Sequence, residues 1–256
     1  MRRLWLTAFL AVCWPLAVVL AQGRSAAESV VREGNSLYER GDYQGAVAKY
    51  EQALAAGFES GALYFNLGNA YYRLGDIGRA ILNYERARRL LPDDEEVRFN
   101  LELANLKTVD RIVVPPKFVL FRFVENFKNW LALGTLLRVV MGLYLIVVAL
   151  VIGIVLDRQG RARRPLKAGL WAFGLLLLLF AATLAGRLHE RAHVAEAVVL
   201  AEKVAALSGP HEEAAEQFFL HAGAKVRIEE VSGSWCRIRL PDGKVGWLPA
   251  TAMERI

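Results

Sequence analysis

The chain has 256 residues, of which 55% are hydrophobic and 23% charged, with two cysteines and a formal net charge of +6. A mean hydropathy of +0.27 is high for a soluble domain, yet charged stretches recur throughout, so a membrane protein with soluble parts is predicted. The basic excess gathers largely at the N-terminus and in one short loop, which excludes a nucleic-acid footprint, and two cysteines exclude a disulfide-built scaffold.

In chain order, Met1-Arg2-Arg3 precedes the apolar run LWLTAFLAVCWPLAVVLA, which closes on Val19-Leu20-Ala21. A charged start, an apolar middle and a small-residue end predict a signal peptide over 1–21, with an uncleaved anchor helix as the alternative. Either one exports the region from Gln22 onward. Cleavage after Ala21 would remove Cys13 and leave Cys236 alone, read as a small buried hydrophobe in a strand.

Residues 25–107 repeat with a period of 34. Gly34-Asn35 returns as Gly68-Asn69, Tyr38 as Tyr72, Gly41-Asp42 as Gly75-Asp76, Ala46 as Ala80, Tyr50-Glu51 as Tyr84-Glu85 and Ala53 as Ala87, with Pro92 closing the second unit. This is the tetratricopeptide pattern, two antiparallel helices per unit. Small residues let the helices approach, Gly41 and Gly75 supply left-handed ends, and Asp42 and Asp76 cap the next helices. A further helix, Asp94–Leu106, is expected to cover the open face of the second unit, because such units bury their apolar faces only on neighbours. The first helix of each unit lines the concave side, which places Asn35, Tyr38, Asn66, Asn69, Tyr72, Arg73 and Asn100 in a candidate partner-binding groove. Asparagines so spaced suit the backbone of an extended peptide. Asn35 and Asn66 also match two positions of a carboxylate clamp, but Val31, Glu96 and Asn100 stand where its basic residues belong. Capture of a C-terminal carboxylate is therefore not expected.

Pro115-Pro116 ends the array, and residues 108–137 read as a connector. Phe118, Phe121, Phe127, Trp130 and Leu131 are interleaved there with Lys117, Arg122, Glu125 and Lys128. That suits a segment in the membrane interface, or else an early start to the next helix. A transmembrane hairpin comes next, over 139–186. Val139–Leu156 and Ala168–Gly186 carry no charge, and each is long enough to cross about 30 Å of hydrocarbon. The loop 157–167 between them holds five basic residues and one acidic, which predicts that it stays in the cytoplasm. Both flanking regions then face the extracytoplasmic side.

After the second span stands His189-Glu190-Arg191-Ala192-His193. On a helix inside a catalytic domain, this spacing would bind zinc, with Glu190 as general base. At a membrane exit that soon enters a strand it reads instead as a solvated helix end. Glu213, a conceivable third ligand, falls in a polar loop. No metal, no cofactor and no enzymatic activity are predicted. Residues 195–256 read as an all-β, SH3-like barrel. Apolar segments at Ala197–Leu200, Lys225–Val231, Trp235–Leu240 and Lys244–Leu248 are parted by turn signals at Ser208-Gly209-Pro210, Ser232-Gly233-Ser234 and Pro241-Asp242-Gly243. The arrangement Leu220-x-x-Gly223-x-x-Val226, Gly233-x-Trp235-x-x-Ile238 and Gly246-Trp247-Leu248 is similar to the bacterial SH3-type domain. Trp235 and Trp247 either pack the barrel or line a ligand surface.

The order of these parts resembles the BatE-type proteins of bacterial aerotolerance operons. The residues that carry it are Gly34-Asn35…Gly41-Asp42-Tyr43, Gly68-Asn69…Gly75-Asp76, Asn100-Leu101-Glu102-Leu103-Ala104 with Asp110, and Gly223…Trp235…Gly246-Trp247. The resemblance implies a stress-related scaffold, multi-pass in the bacterial inner membrane, with both soluble domains periplasmic. It implies von Willebrand A-type membrane proteins and a MoxR-type ATPase system as partners beside the lipid bilayer. A cell-wall binder acting through its SH3-type domain is the alternative, and a zinc peptidase a remote one.

Overall fold

A computed structural model describes residues 25–112, 130–157, 159–160, 162–193 and 195–256, and of residues 189–193 the backbone alone. The signal-peptide expectation and most of the connector, Lys117 through Lys128, lie outside these residues. The chain divides into two compact units, 1–113 with 195–256, and 114–194.

The first unit begins with five helices: α1 (25–39), α2 (Tyr43–Ala55), α3 (Gly61–Leu74), α4 (Ile77–Leu90) and α5 (Glu95–Asn105). Each boundary has a local cause. Asp42, Ser60 and Asp76 accept from the backbone N–H three residues on, at 2.9, 3.1 and 3.0 Å, and Asp94 accepts from Glu96 and Val97. These bonds satisfy donors that a helix start leaves open. Gly41 and Gly75 end α1 and α3 at φ +82° and +84°, where a side chain would be strained. Tyr50 and Tyr84 are buried at the centre of the helical core with Leu63, Leu67, Ala46 and Ala80. They lie so close to α1 and α3 that a Cβ at Gly34 would stand 2.6 Å from the Tyr50 ring, and one at Gly68 2.7 Å from the Tyr84 ring. The two repeat glycines are thus the seats of the two repeat tyrosines.

The same unit continues with β1 (Ala195–Val199), β2 (Lys203–Leu207), β3 (Glu216–His221), β4 (Lys225–Ser232), β5 (Trp235–Arg239), β6 (Val245–Pro249) and β7 (Met253–Arg255). They form one sheet in the order β3-β2-β6-β5-β4-β1-β7, with every pairing antiparallel. This corrects the expected barrel. Its end strands β3 and β7 do not pair, so the sheet is open. Most of its apolar surface packs on itself, and one face of β1 meets the helices. Val198 is fully buried among helical core residues, with Leu200 and Ile256 packed beside it, while Ala197 and Val199 on the other face of β1 join the sheet's own core. A strand buried on both faces loses polar alternation, which is why this stretch reads as a continuous apolar run. Cys236 is buried in β5.

The second unit holds α6 (Leu133–Leu156) and α7 (Arg163–His193). Both are longer than the apolar spans that mark them. α6 starts six residues before Val139, and α7 takes in Arg163, Arg164 and Lys167 in its first turns. Hydropathy registers only the stretch suited to hydrocarbon, whereas backbone hydrogen bonding carries a helix on into polar surroundings. Leu133–Leu156 and Arg163–Leu188 are long and apolar enough to cross a membrane, and neither is buried inside the protein. The helices touch through small residues, Gly153 facing Leu166 and Gly169 facing Leu150, a contact type that lets helices approach closely. At the far end Arg187 donates to the Leu131 carbonyl at 2.6 Å.

Candidate functional site

The 34-residue period that builds the array also builds a hydrogen-bond ladder along its groove. The Tyr50 hydroxyl donates to Asn35 Oδ1 at 2.8 Å, and Asn66 Nδ2 donates to the same oxygen at 3.1 Å. One repeat later Tyr84 donates to Asn69 Oδ1 at 2.7 Å and Asn100 Nδ2 at 2.9 Å. Each tyrosine therefore fixes an asparagine amide, and that amide fixes the next. Burial pushes the Tyr50 hydroxyl up to about 12, with Tyr38 and Glu39 adding to it, and burial raises Tyr84 also. Both hydroxyls stay protonated and able to donate. Among the described residues, the ladder leaves Asn35 and Asn69 with their amide N–H groups, and Asn66 and Asn100 with their amide oxygens.

Asn35, Tyr38, Asn66 and Asn69 line one open pocket of about 220 Å³, joined by Glu39 and Tyr50. Tyr72 and Arg73 sit apart from it. Lys107 lies over the Tyr72 ring at 4.3 Å, and Arg73 over the Tyr43 ring at 4.7 Å, while Tyr43 meets Tyr38 edge-on. Asn100 lines a second, wider hollow of about 480 Å³ with Phe65, Phe99, Glu95, Glu96, Arg98 and Glu102. Sequence reading missed these neighbours, although the period displays them, since Phe65-Asn66-Leu67 returns as Phe99-Asn100-Leu101. Phe65 rests against Tyr84 with ring centres 6.0 Å apart. Phe99, on the last helix of the array, has no such ring partner among the described residues and is 60% exposed.

Trp235 and Trp247 are half-buried on the sheet face opposite the core residues Cys236, Ile238 and Leu248. Neither tryptophan belongs to that core. Register sets Trp247 beside Arg237 and Leu207, and Arg237 beside Glu230, so the outer face is an aromatic patch with charges of both signs. Arg239 bonds Glu229, whose carboxyl it holds below the ordinary carboxylate range.

A third feature was not anticipated at all: α4 is clamped to the sheet. Arg86 bridges to Glu254 at 2.7 Å and donates to the Arg255 carbonyl, and Arg89 donates to that of Ile256. Lys225 joins Glu85 and Glu196 at 3.2 and 2.8 Å. Asp110, just beyond α5, takes the His221 N–H at 2.6 Å and meets its Nδ1 at 2.9 Å. Gly78 lies against Ala222 and the Val199 carbonyl, Gly223 against Ile81 and Thr108.

With this geometry in view, residues 31–95 match the tetratricopeptide repeat family and residues 201–253 match the bacterial SH3 domain. The first points to protein–protein interaction and the second to cell-wall binding. A comparison with curated proteins finds no match. Among the described residues, no group of three or more His, Cys, Asp or Glu is placed to hold a metal. The side chains of His189, Glu190 and His193 lie outside those residues, and the backbone there is the end of α7.

Proposed function

We propose that the chain is a membrane-held scaffold, without catalysis of its own, whose repeat groove binds protein partners outside the cytoplasm. The observation that carries this reading is the Asn–Tyr–Asn ladder. It fixes four asparagine amides yet leaves part of each one's hydrogen-bonding capacity at an open groove. Unused amide donors and acceptors beside half-buried tyrosine rings suit the main chain and side chains of a bound segment.

Membrane attachment is supported by two helices of sufficient length and apolarity between chain segments that fold as one body. An odd number of crossings would part those segments, so a there-and-back path fits. Five basic residues in the connecting stretch 157–167 favour the cytoplasm for the turn. The resemblance to BatE-type proteins supports a place in a stress-related inner-membrane complex with von Willebrand A-type proteins and a MoxR-type ATPase system. A second reading, wall binding through the sheet, is favoured by the half-exposed Trp235 and Trp247.

One crosslinking experiment on intact cells tests both. Asn69 also ties α3 to α4 and α5, so Tyr38→Ala with Tyr72→Ala is the cleaner groove variant, removing contact area without unpairing the ladder. Loss of protein crosslinks in this double variant is expected. Unchanged protein crosslinks, with wall crosslinks abolished by Trp247→Ala, would transfer the function to the sheet.

A further inference from the structure

The wider hollow between α3 and α5 has a composition that selects its occupant. Phe99 stands 60% exposed, and a solvent-facing phenylalanine next to Phe65 offers an apolar seat for a large side chain. Three carboxylates, Glu95, Glu96 and Glu102, surround that seat with one cation, Arg98. Among the described residues Arg98 pairs with Glu95, at 3.6 Å between two largely exposed groups, which is worth little in water. Glu96 and Glu102 have no cation partner among the described residues. Glu39 adds a further negative charge at the neighbouring pocket. The hollow is thus acidic in a chain whose net charge is +6, so it stands out from the bulk of the protein and attracts basic ligands. The free groups of the ladder add the last constraint. Amide N–H from Asn35 and Asn69 and amide oxygen from Asn66 and Asn100 complement the open C=O and N–H groups of an extended backbone. A helix has already spent those groups on itself.

Resting on the groove reading above, we infer that the ligand is an extended, lysine- or arginine-rich segment of a partner protein that carries one large apolar side chain. The apolar side chain seats against Phe65 and Phe99. The flanking cations meet Glu96 and Glu102, and the main chain pairs with the asparagine amides.

The test is selection of random peptides of about ten residues on the full chain in nanodiscs, followed by binding measurements on the enriched sequences. Enrichment of one aromatic or long aliphatic residue flanked by lysine or arginine is expected. Phe99→Ala weakens those peptides about tenfold or more, and Glu96→Gln with Glu102→Gln weakens them about threefold and flattens their salt dependence. All three side chains are exposed, so folding is retained. Enrichment of neutral or acidic peptides, of peptides that bind as helices, or of none at all overturns the inference. Unchanged affinity in both variants does the same. If Tyr38→Ala with Tyr72→Ala abolishes crosslinking in cells while Glu96→Gln with Glu102→Gln leaves it and its salt dependence intact, the groove reading stands and only the basic-segment chemistry falls.

Discussion

The Tyr50 ring is buried against Gly34 while its hydroxyl reaches the groove wall, so one side chain serves both the core and the ladder. Its acidity is tied to folding through that placement. An unfolded tyrosine ionises near 10.0, whereas burial holds Tyr50 neutral up to about 12. A folded-state value raised above the unfolded one gives stability that is whole below the unfolded value and is lost as pH climbs through the folded one. Tyr38, Tyr64, Tyr71 and Tyr84 are raised as well, burial being the main cause in each, with the Glu51 hydrogen bond helping at Tyr71. The melting temperature is therefore expected to fall between pH 10 and 12, in step with tyrosinate absorbance. Tyr50→Phe costs about 1 kcal/mol at neutral pH through the lost bond to Asn35, and it makes the alkaline decline shallower. A decline as steep as that of the parent protein would show that Tyr50 is not held neutral by the fold.

At the scale of elements, the seam between α4 and the sheet rests on two glycines that sequence reading assigned to other purposes or passed over. A Cβ at Gly78 would lie 3.1 Å from the Ala222 Cβ and 3.4 Å from the Val199 carbonyl. A bare methyl needs a few tenths of an ångström of give, while a leucine has nowhere to put its remaining atoms. Gly78→Leu gains up to about 1 kcal/mol of helix propensity, against an overpacking cost of about 1–3 kcal/mol. Chemical denaturation is expected to change from one transition to two as sheet and helices part. A single transition at undiminished stability would deny that the seam couples them. Such a seam joins residues more than a hundred positions apart, so no local period can reveal it. The repeats were legible for the opposite reason, since their caps, left-handed glycines and tyrosine seats all recur within one 34-residue span. The groove asparagines were legible on the same ground, and Phe99 was missed because its exposure depends on where the array stops. β2 and β3 escaped notice because a register shift between Ala206 and Leu207 breaks their alternation and Phe218-Phe219 puts adjacent aromatics on opposite faces. β7 has only three residues and draws its partner, β1, from more than fifty residues back along the chain. Sheet closure was expected from motif likeness alone, and motif likeness does not say whether the end strands β3 and β7 pair.

At the scale of the whole molecule, the joining of residues 25–112 with 195–256 into one body constrains any path through a bilayer. Chain segments that share a hydrophobic core and a line of ion pairs must lie on one side of it. Two crossings satisfy this and one does not. The proposed topology puts the basic stretch between α6 and α7 in the cytoplasm, because short loops rich in Lys and Arg are retained there. Single cysteines report the arrangement directly. Gln52→Cys in α2, Ser232→Cys at the end of β4 and Ala162→Cys between the long helices are all exposed positions. Cys236 is buried, and Cys13→Ser removes the other thiol. A membrane-impermeant maleimide applied to spheroplasts is expected to label positions 52 and 232 alike, and position 162 only after permeabilisation. Different labelling of 52 and 232 would break the single body apart. Equal labelling of all three would mean that α6 and α7 do not cross, and labelling of 162 alone would invert the protein and place the groove in the cytoplasm.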